Sequence, residues 1–168
     1  MIIPFSKKNI KNKDLVHVNK ILKSGWLTHG KYTNMFQKSF AKFTGSKYAI
    51  TVSSCTAGLH LACIAQKLKK GDEVIVPSLT HTATAHAVRY TGAKPVFADV
   101  SLDTGNINIE EIKKKKSYKT KGVIVVHMAG FPCEIEEISN YCKKNKLFLI
   151  EDCAHALGTE GKNMHVGN

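Results

Sequence analysis

Residues 71–100 read GDEVIVPSLTHTATAHAVRYTGAKPVFADV. Gly71-Asp72 punctuates the chain. Glu73 to Val76 is an apolar run rich in branched residues, which reads as a strand. Thr80 to Tyr90 reads as a helix, and Thr91-Gly92 is a stop signal at its end. Pro95 to Val100 is the next strand. A strand, a helix and a strand in immediate succession form a βαβ unit. Strands without polar alternation, separated by helices, indicate a parallel sheet covered on both faces.

The same alternation extends outward from this unit. Upstream, Tyr48 to Val52 reads as a short strand. SSCTAGLHLACIAQKLKK (residues 53–70) follows as a helix, with Leu59, Cys63, Ile64 and Leu68 spaced along one face. Downstream, Ile109 to Lys116 is a short helix and Val123 to Val126 a strand. Glu134 to Lys144 is amphipathic, with Ile135, Ile138 and Cys142 on one side. Leu147 to Ile150 is a further buried strand. Residues 1–47 differ in character. Asp14 to Ser24 and Lys31 to Thr44 read as two amphipathic helices flanking GWLTHG (residues 25–30). The expectation is an α/β fold: a helical segment over 1–47, then a mostly parallel sheet flanked by helices over 48–168.

A chain of 168 residues is the size of one domain and, folding alone, could bury about 70% of its unfolded surface. No apolar run reaches the ~20 residues a membrane helix needs. The opening MIIPFSKKNIKNKD lacks a secretory h-region, so the expected compartment is the cytoplasm. The five cysteines are odd in number and none forms a C-x-x-C pair, which argues against a disulfide framework and a zinc site. No H-E-x-x-H pattern occurs either, and no metal is expected. The net charge of +12 raises nucleic-acid binding. However, Arg89 is the sole arginine, and specific readers of nucleic acid rely on arginine forks and interleaved aromatics. The one dense basic run, Lys113 to Lys116, sits at a helix end, where cations suit the dipole.

Right-handed crossovers put every strand's carboxyl end on one edge, where open α/β sheets bind ligands. The residues that follow each strand are therefore the candidates. Ser53 to Ala57 joins a strand to a helix start, where free amides and hydroxyls suit phosphate; simple N-capping is the competing reading. His81 could stack on a planar ring, or be an ordinary surface or core histidine. His86 has no evident partner. Glu151 and Asp152 are neighbours in a strand, point to opposite faces and cannot both serve one site. Asp152 is a buried-carboxylate candidate that needs a cation or donors. A pyridinium nitrogen would satisfy it, as in pyridoxal phosphate enzymes; a capping aspartate at a strand–loop junction is the alternative. His155 could reach the same ligand or solvent.

The stretches AITVSSCTAGLHLA, GDEVIVPSLTHTATAHAVRYTGAKPVFADV, VIVVHMAGFPCEIEEI and LFLIEDCAHALGT occur in the order found in the DegT/DnrJ/StrS sugar aminotransferases, and SGWLTHG resembles that family's opening segment. The resemblance covers essentially the whole chain. It implies a fold-type-I enzyme using pyridoxal 5'-phosphate, usually a homodimer, that moves an amino group from glutamate to a nucleotide-linked keto sugar in polysaccharide biosynthesis. Carried over by position, Thr56 and Ala57 bind the cofactor phosphate. His81 stands where an aromatic ring usually stacks on the pyridine. Asp152 pairs with the pyridine nitrogen, and His155 with the phenolic oxygen. Trp26, Thr28 and His29 are candidates to line the sugar pocket, with a buried anchor as the competing role for Trp26. The family's Schiff-base lysine lies beyond the ED-x-A-[HQ]-A motif, and Lys162 is not assigned that role. The expectation is that the chain is the N-terminal part of a longer enzyme, inactive and poorly folded alone. A sugar dehydratase of the same family and a non-catalytic binding protein are the alternatives.

Overall fold

The structure is a computed structural model that describes residues 7, 9–161 and 165–168. Lys162 and the first six residues lie outside the described set. Among the described residues the order is α1 (Asn12–Lys23), α2 (Lys31–Thr44), α3 (Cys55–Ala65), β1 (Glu73–Pro77), α4 (Thr82–Arg89), β2 (Lys94–Ala98), α5 (Ile109–Lys115), β3 (Thr120–Val126), α6 (Ile135–Lys144) and β4 (Phe148–Asp152), with a 3-10 turn at Met128–Gly130 after β3.

The four strands form one sheet in the order β2-β1-β3-β4, and every pairing is parallel. The βαβ unit of residues 71–100 is its first half, as expected. From β1 the chain steps outward to β2, then crosses back over β1 to β3 and continues to β4. The strand order therefore reverses between β1 and β3, which creates a crevice at the strands' carboxyl ends.

Alternation along each strand builds two separate cores. Ile75, Val123 and Val125 pack against α5 and α6 through Ile109, Ile112, Ile138 and Cys142. Val74, Val76 and Ile124 pack against α3 and α4 through Leu59, Cys63, Ala87 and Val88. Most of these side chains are fully buried. A branched residue removed from water contributes about 1.5–3 kcal/mol, so these two layers carry the sheet. Close approach also matters. A Cβ added at Gly122 would collide with the ring of Phe148 on the adjacent strand.

Two expectations from the sequence need correction. Tyr48 to Val52 forms no strand. It has no partner beside it among the described residues, and its Thr51 amide donates instead to Gln37 Oε1 at 2.9 Å. Tyr48 and Ile50 are 75% and 81% exposed; apolar side chains there promise a strand only if a neighbouring strand supplies the ladder. Ile64 does not share the core face of α3 and is 50% exposed. The helix stops at Ala65, Lys67 takes φ 56°, and Leu68 returns to the core through this turn rather than along a helical face. The apolar residues of α1 are likewise solvent-facing, since no residue of that helix is buried.

Candidate functional site

Asp152 ends β4 and is 6% exposed. Register pairs it with Val126, and strand alternation turns its side chain toward α3 and α4. There Oδ2 accepts from Thr84 Oγ1 at 3.3 Å. Oδ1 accepts from the Ala154 amide at 3.1 Å and from Cys55 Sγ at 3.6 Å. These are neutral donors, and the thiol contact is weak. Among the described residues no lysine, arginine or histidine forms an ion pair with Asp152. A carboxylate this buried is costly without a cation, so its chemistry suits a positively charged ring nitrogen.

Two helix starts converge on this carboxylate. At α3, Ser54 is the N-cap and its Oγ accepts the Ala57 amide at 3.1 Å. Cys55 and Thr56 then open the first turn beside Asp152, where helix amides favour an anion. At α4, the N-cap is His81, whose Nδ1 accepts the Ala83 amide at 3.1 Å. That bond fixes the ring's orientation at the mouth of the site. It also leaves Nε2 as the protonated nitrogen of the neutral ring. Thr84 follows in the same turn, fully buried, and shares a 2.9 Å hydrogen bond with Thr80.

Asp152's charge is felt by its neighbours. Burial, then the Asp152 charge and hydrogen bond, push the Cys55 thiol above its ordinary range. Cys153 is pushed up to about 12, by burial first and then by the charges of Glu151 and Asp152. Both cysteines are therefore thiols at neutral pH, as are Cys133 (about 12) and Cys63 and Cys142 (about 11), where burial dominates.

The adjacent carboxylate serves the opposite face, as strand alternation requires. Glu151 Oε2 lies 3.0 Å from His127 Nε2 and accepts the Gly167 amide at 2.8 Å. His127 is fully buried after β3, and its Nδ1 accepts the Cys133 amide at 3.0 Å. The neutral ring therefore carries its proton on Nε2 and donates it to Glu151. The ligand atoms of His127, Glu151 and Cys153 lie within 4.8 Å of one another. The imidazole lone pair and the imidazole proton are both committed, however, and the thiol is held protonated. The trio is a hydrogen-bonded pair beside a thiol rather than a ready metal site.

The structure thus brings Thr56, Ala57, His81 and Asp152 to one end of the sheet. His155 lies three residues past Asp152 and is exposed, with no recorded hydrogen bond to it. Trp26, Thr28 and His29 are exposed in the turn between α1 and α2. Trp26 is 63% exposed and donates its indole N–H to the His29 carbonyl at 2.8 Å, so it is not a buried anchor. His86 is exposed, with its ring 5.9 Å from that of Tyr90. Sequence reasoning missed Thr84 and the pairing of His127 with Glu151, and it read Ser53 to Ala57 for amides and hydroxyls without the contact of the Cys55 thiol to Asp152. A threonine repeated four residues after Thr80 on an otherwise alanine-lined helix face was the available signal for Thr84.

The chain matches the DegT/DnrJ/EryC1/StrS aminotransferase family over residues 8–168. It is similar to GDP-perosamine synthase of Escherichia coli O157:H7, 41% identical over 166 residues, which are 98% of this chain and 46% of that protein. Among solved structures it is similar to the aminotransferase from Psychrobacter cryohalolentis, at 38% identity and a TM-score of 0.92 over 98% of this chain and 42% of that one. It is also similar to a GDP-4-keto-6-deoxymannose-3-dehydratase carrying a trapped PLP-glutamate geminal diamine, at 30% identity and a TM-score of 0.92 over 98% and 44% of the two chains. The chain spans less than half the length of these relatives. With a parallel sheet, two capped helix starts and a buried aspartate at its carboxyl edge, and with the family match running over nearly all its residues, this chain belongs to the DegT/DnrJ/EryC1/StrS aminotransferase family.

Proposed function

We propose that these residues form the cofactor-binding half of a pyridoxal 5'-phosphate enzyme that transfers an amino group from glutamate to a nucleotide-linked keto sugar, with the Schiff-base lysine supplied by sequence outside residues 1–168. The observation that carries the reading is Asp152, a buried carboxylate with only neutral donors, at the carboxyl end of a parallel strand and beside two helix starts. The residues present fit the group. Asp152 would hold the proton on the ring nitrogen. The first-turn amides of α3 and the Thr56 hydroxyl would take the phosphate. Ala57 joins them only if the Ser54 cap opens, because Ser54 Oγ already holds its amide. His81, oriented by its bond to Ala83, would lie against the ring face. His155 would meet the phenolic oxygen, and Trp26, Thr28 and His29 the sugar. When bound, the cofactor supplies an electron sink for carbanion chemistry.

Two relatives are named for GDP-linked sugars, which favours a GDP-linked keto sugar as acceptor. The family's homodimer and a cytoplasmic location belong to the same proposal; among the described residues no helix is long and apolar enough to cross a membrane. The dehydratase neighbour favours a second reading, loss of a hydroxyl from the sugar without gain of nitrogen. One experiment separates the two. The full-length protein is incubated with pyridoxal 5'-phosphate, glutamate and GDP-4-keto-6-deoxymannose, and the products are resolved by mass. An amino sugar nucleotide is the expected result. A deoxygenated, nitrogen-free product selects the dehydratase, and unchanged substrate with no 2-oxoglutarate refutes a GDP-4-keto sugar as the acceptor.

A further inference from the structure

We propose that Glu151 and His127 form a positioning pair that fixes the aim of Asp152 from the far side of the sheet, an inference that rests on the cofactor reading above. Asp152 is the last residue of β4, so its backbone is held by strand pairing on one side only. Beyond it the chain leaves the sheet through Cys153 and Ala154. An anchor at residue 151 therefore helps to set the direction of residue 152.

The anchor is specific. Glu151 is paired in register with Val125, and its side chain enters the α5/α6 face. There it meets His127, whose side chain has no exposure, against 15% for Glu151. Both ring nitrogens of the imidazole are engaged. Its Nδ1 is held by the Cys133 amide at 3.0 Å, and its Nε2–H points at Glu151 Oε2 at 3.0 Å. The His127 amide also donates to the Asp152 carbonyl at 3.2 Å. The same histidine thus grips β4 twice, by its ring at Glu151 and by its backbone at Asp152. Glu151 Oε2 then accepts the Gly167 amide at 2.8 Å. One carboxylate oxygen thereby ties the end of β3, the end of β4 and the turn at Val166–Gly167 together. Two hydrogen bonds fix this mostly buried carboxylate in one geometry, where a solvated glutamate would exchange water partners freely, and its side chain enters the face opposite to that of Asp152. Its remaining role is mechanical: to hold the backbone from which Asp152 projects. A group that orients a primary ligand in this way typically changes affinity by about tenfold or more when removed.

The test uses the full-length protein stripped of cofactor and titrated with pyridoxal 5'-phosphate, with dissociation constants read by equilibrium dialysis and folding checked by thermal melts. Glu151→Ala removes both hydrogen bonds and is expected to weaken cofactor binding about tenfold. Glu151→Gln keeps an acceptor oxygen of the same reach and is expected to stay within about twofold of the parent. His127→Phe loses the donor to Glu151 and also the acceptor of the Cys133 amide, so its affinity is read beside its thermal melt; where it folds it should weaken binding at least as much as Glu151→Ala. Asp152→Asn is the control for the cofactor reading. Weakened binding in Glu151→Ala or His127→Phe, with the glutamine variant restored, supports the pair. Parent affinity in both, while Asp152→Asn is impaired, overturns the positioning role and leaves the cofactor reading standing. Parent affinity in Asp152→Asn removes the cofactor reading, and this inference with it.

Discussion

Replacing Asp152 with asparagine separates the functional reading from a structural one because the first predicts a loss of cofactor affinity and the second a loss of cofactor-free stability. In the cofactor-free chain the substitution is nearly isosteric, and its hydrogen bonds can be rebuilt. The new Oδ1 still accepts the Ala154 amide and the Cys55 thiol, at 3.1 and 3.6 Å in the parent. The new Nδ2–H2 would face Thr84 Oγ1, which donates to Asp152 at 3.3 Å in the parent. Thr84 can turn its proton to Thr80, since in their 2.9 Å contact either oxygen can donate. One amide hydrogen then meets Thr84 Oγ1 and the second is left without a partner, a cost that works against the gain from removing a costly buried charge, so stability without cofactor should stay within about 1 kcal/mol of the parent. With cofactor the charge is what matters. A charge-assisted bond to a ring nitrogen is worth about 1.5–3 kcal/mol, which is about ten- to a hundredfold in dissociation constant. The assay is a paired one on the full-length protein: urea unfolding without cofactor and dialysis titration with pyridoxal 5'-phosphate. Unchanged affinity would refute the pyridinium role of Asp152. A large loss of cofactor-free stability would refute the claim that its present partners are interchangeable neutral donors. Asp152→Ala, which removes the acceptor of both the Ala154 amide and the buried Thr84 hydroxyl, should by contrast cost about 1–3 kcal/mol before any cofactor is added.

Further outcomes follow from single contacts. Ser54→Ala removes the α3 cap and should lower stability by about 1 kcal/mol, read as a shifted urea midpoint. Gly122→Ala drives a methyl into the Phe148 ring and should cost about 1–3 kcal/mol by overpacking, with the far-ultraviolet spectrum preserved. Asp152→Asn should also speed alkylation of Cys55 by iodoacetamide at pH 8, because removing the negative charge lowers a thiol pKa that this charge helps to raise; bound pyridoxal 5'-phosphate should slow it. The buried thiols make the fold sensitive to alkali. Cys63 and Cys142 titrate at about 11 and Cys133 and Cys153 at about 12 in the folded chain, against 9.0 for a free thiol. The unfolded chain releases these protons first. The stability they contribute is therefore complete below pH 9 and falls as pH rises toward 12, which unfolding midpoints at pH 8 and pH 10 would register.

All four strands of the sheet were legible in the sequence, and the two central ones most directly because they are buried on both faces. Val74 to Val76 and Val123 to Val125 have no exposure, so nothing polar interrupts them and the apolar run marks their place. The helix Lys31–Thr44 was legible for a different reason, the spacing of Met35, Phe36, Phe40 and Phe43 in an otherwise polar stretch. Tyr48 to Val52 has the composition of a strand but not the neighbours. Strand propensity describes a fit to a pleated, half-buried surface, and where no adjacent strand provides that surface the same residues stay irregular. Composition cannot report the missing partner. The α3 face failed at Ile64 for a geometric reason. Spacing alone allowed Cys63 and Ile64 to share a stripe, and the roughly 100° between adjacent helical residues leaves only Cys63, four after Leu59, on the buried line.

Within the site, sequence order located the acidic pair, and strand alternation settled that its two members act on opposite faces. What spacing could not give is the identity of each partner, because those come from other elements. Thr84 reaches Asp152 from a helix 68 residues earlier, and Cys55 from one 97 residues earlier. His127 reaches Glu151 across one strand pair. The division of labour follows from the pleat. A carboxylate at a strand's last residue has no further strand pairing beyond it, and the preceding side chain, which must point the other way, can stiffen it without entering the site. Glu151 occupies that position, and a buried histidine of fixed tautomer meets it there. If this is why the pair is acidic at both positions, then charge is needed only at Asp152, and an acceptor oxygen suffices at Glu151. The contrast between Asp152→Asn, expected to impair cofactor binding, and Glu151→Gln, expected to preserve it, tests that asymmetry; equal impairment by both would show that the second charge acts on the cofactor through the sheet and would defeat the mechanical account.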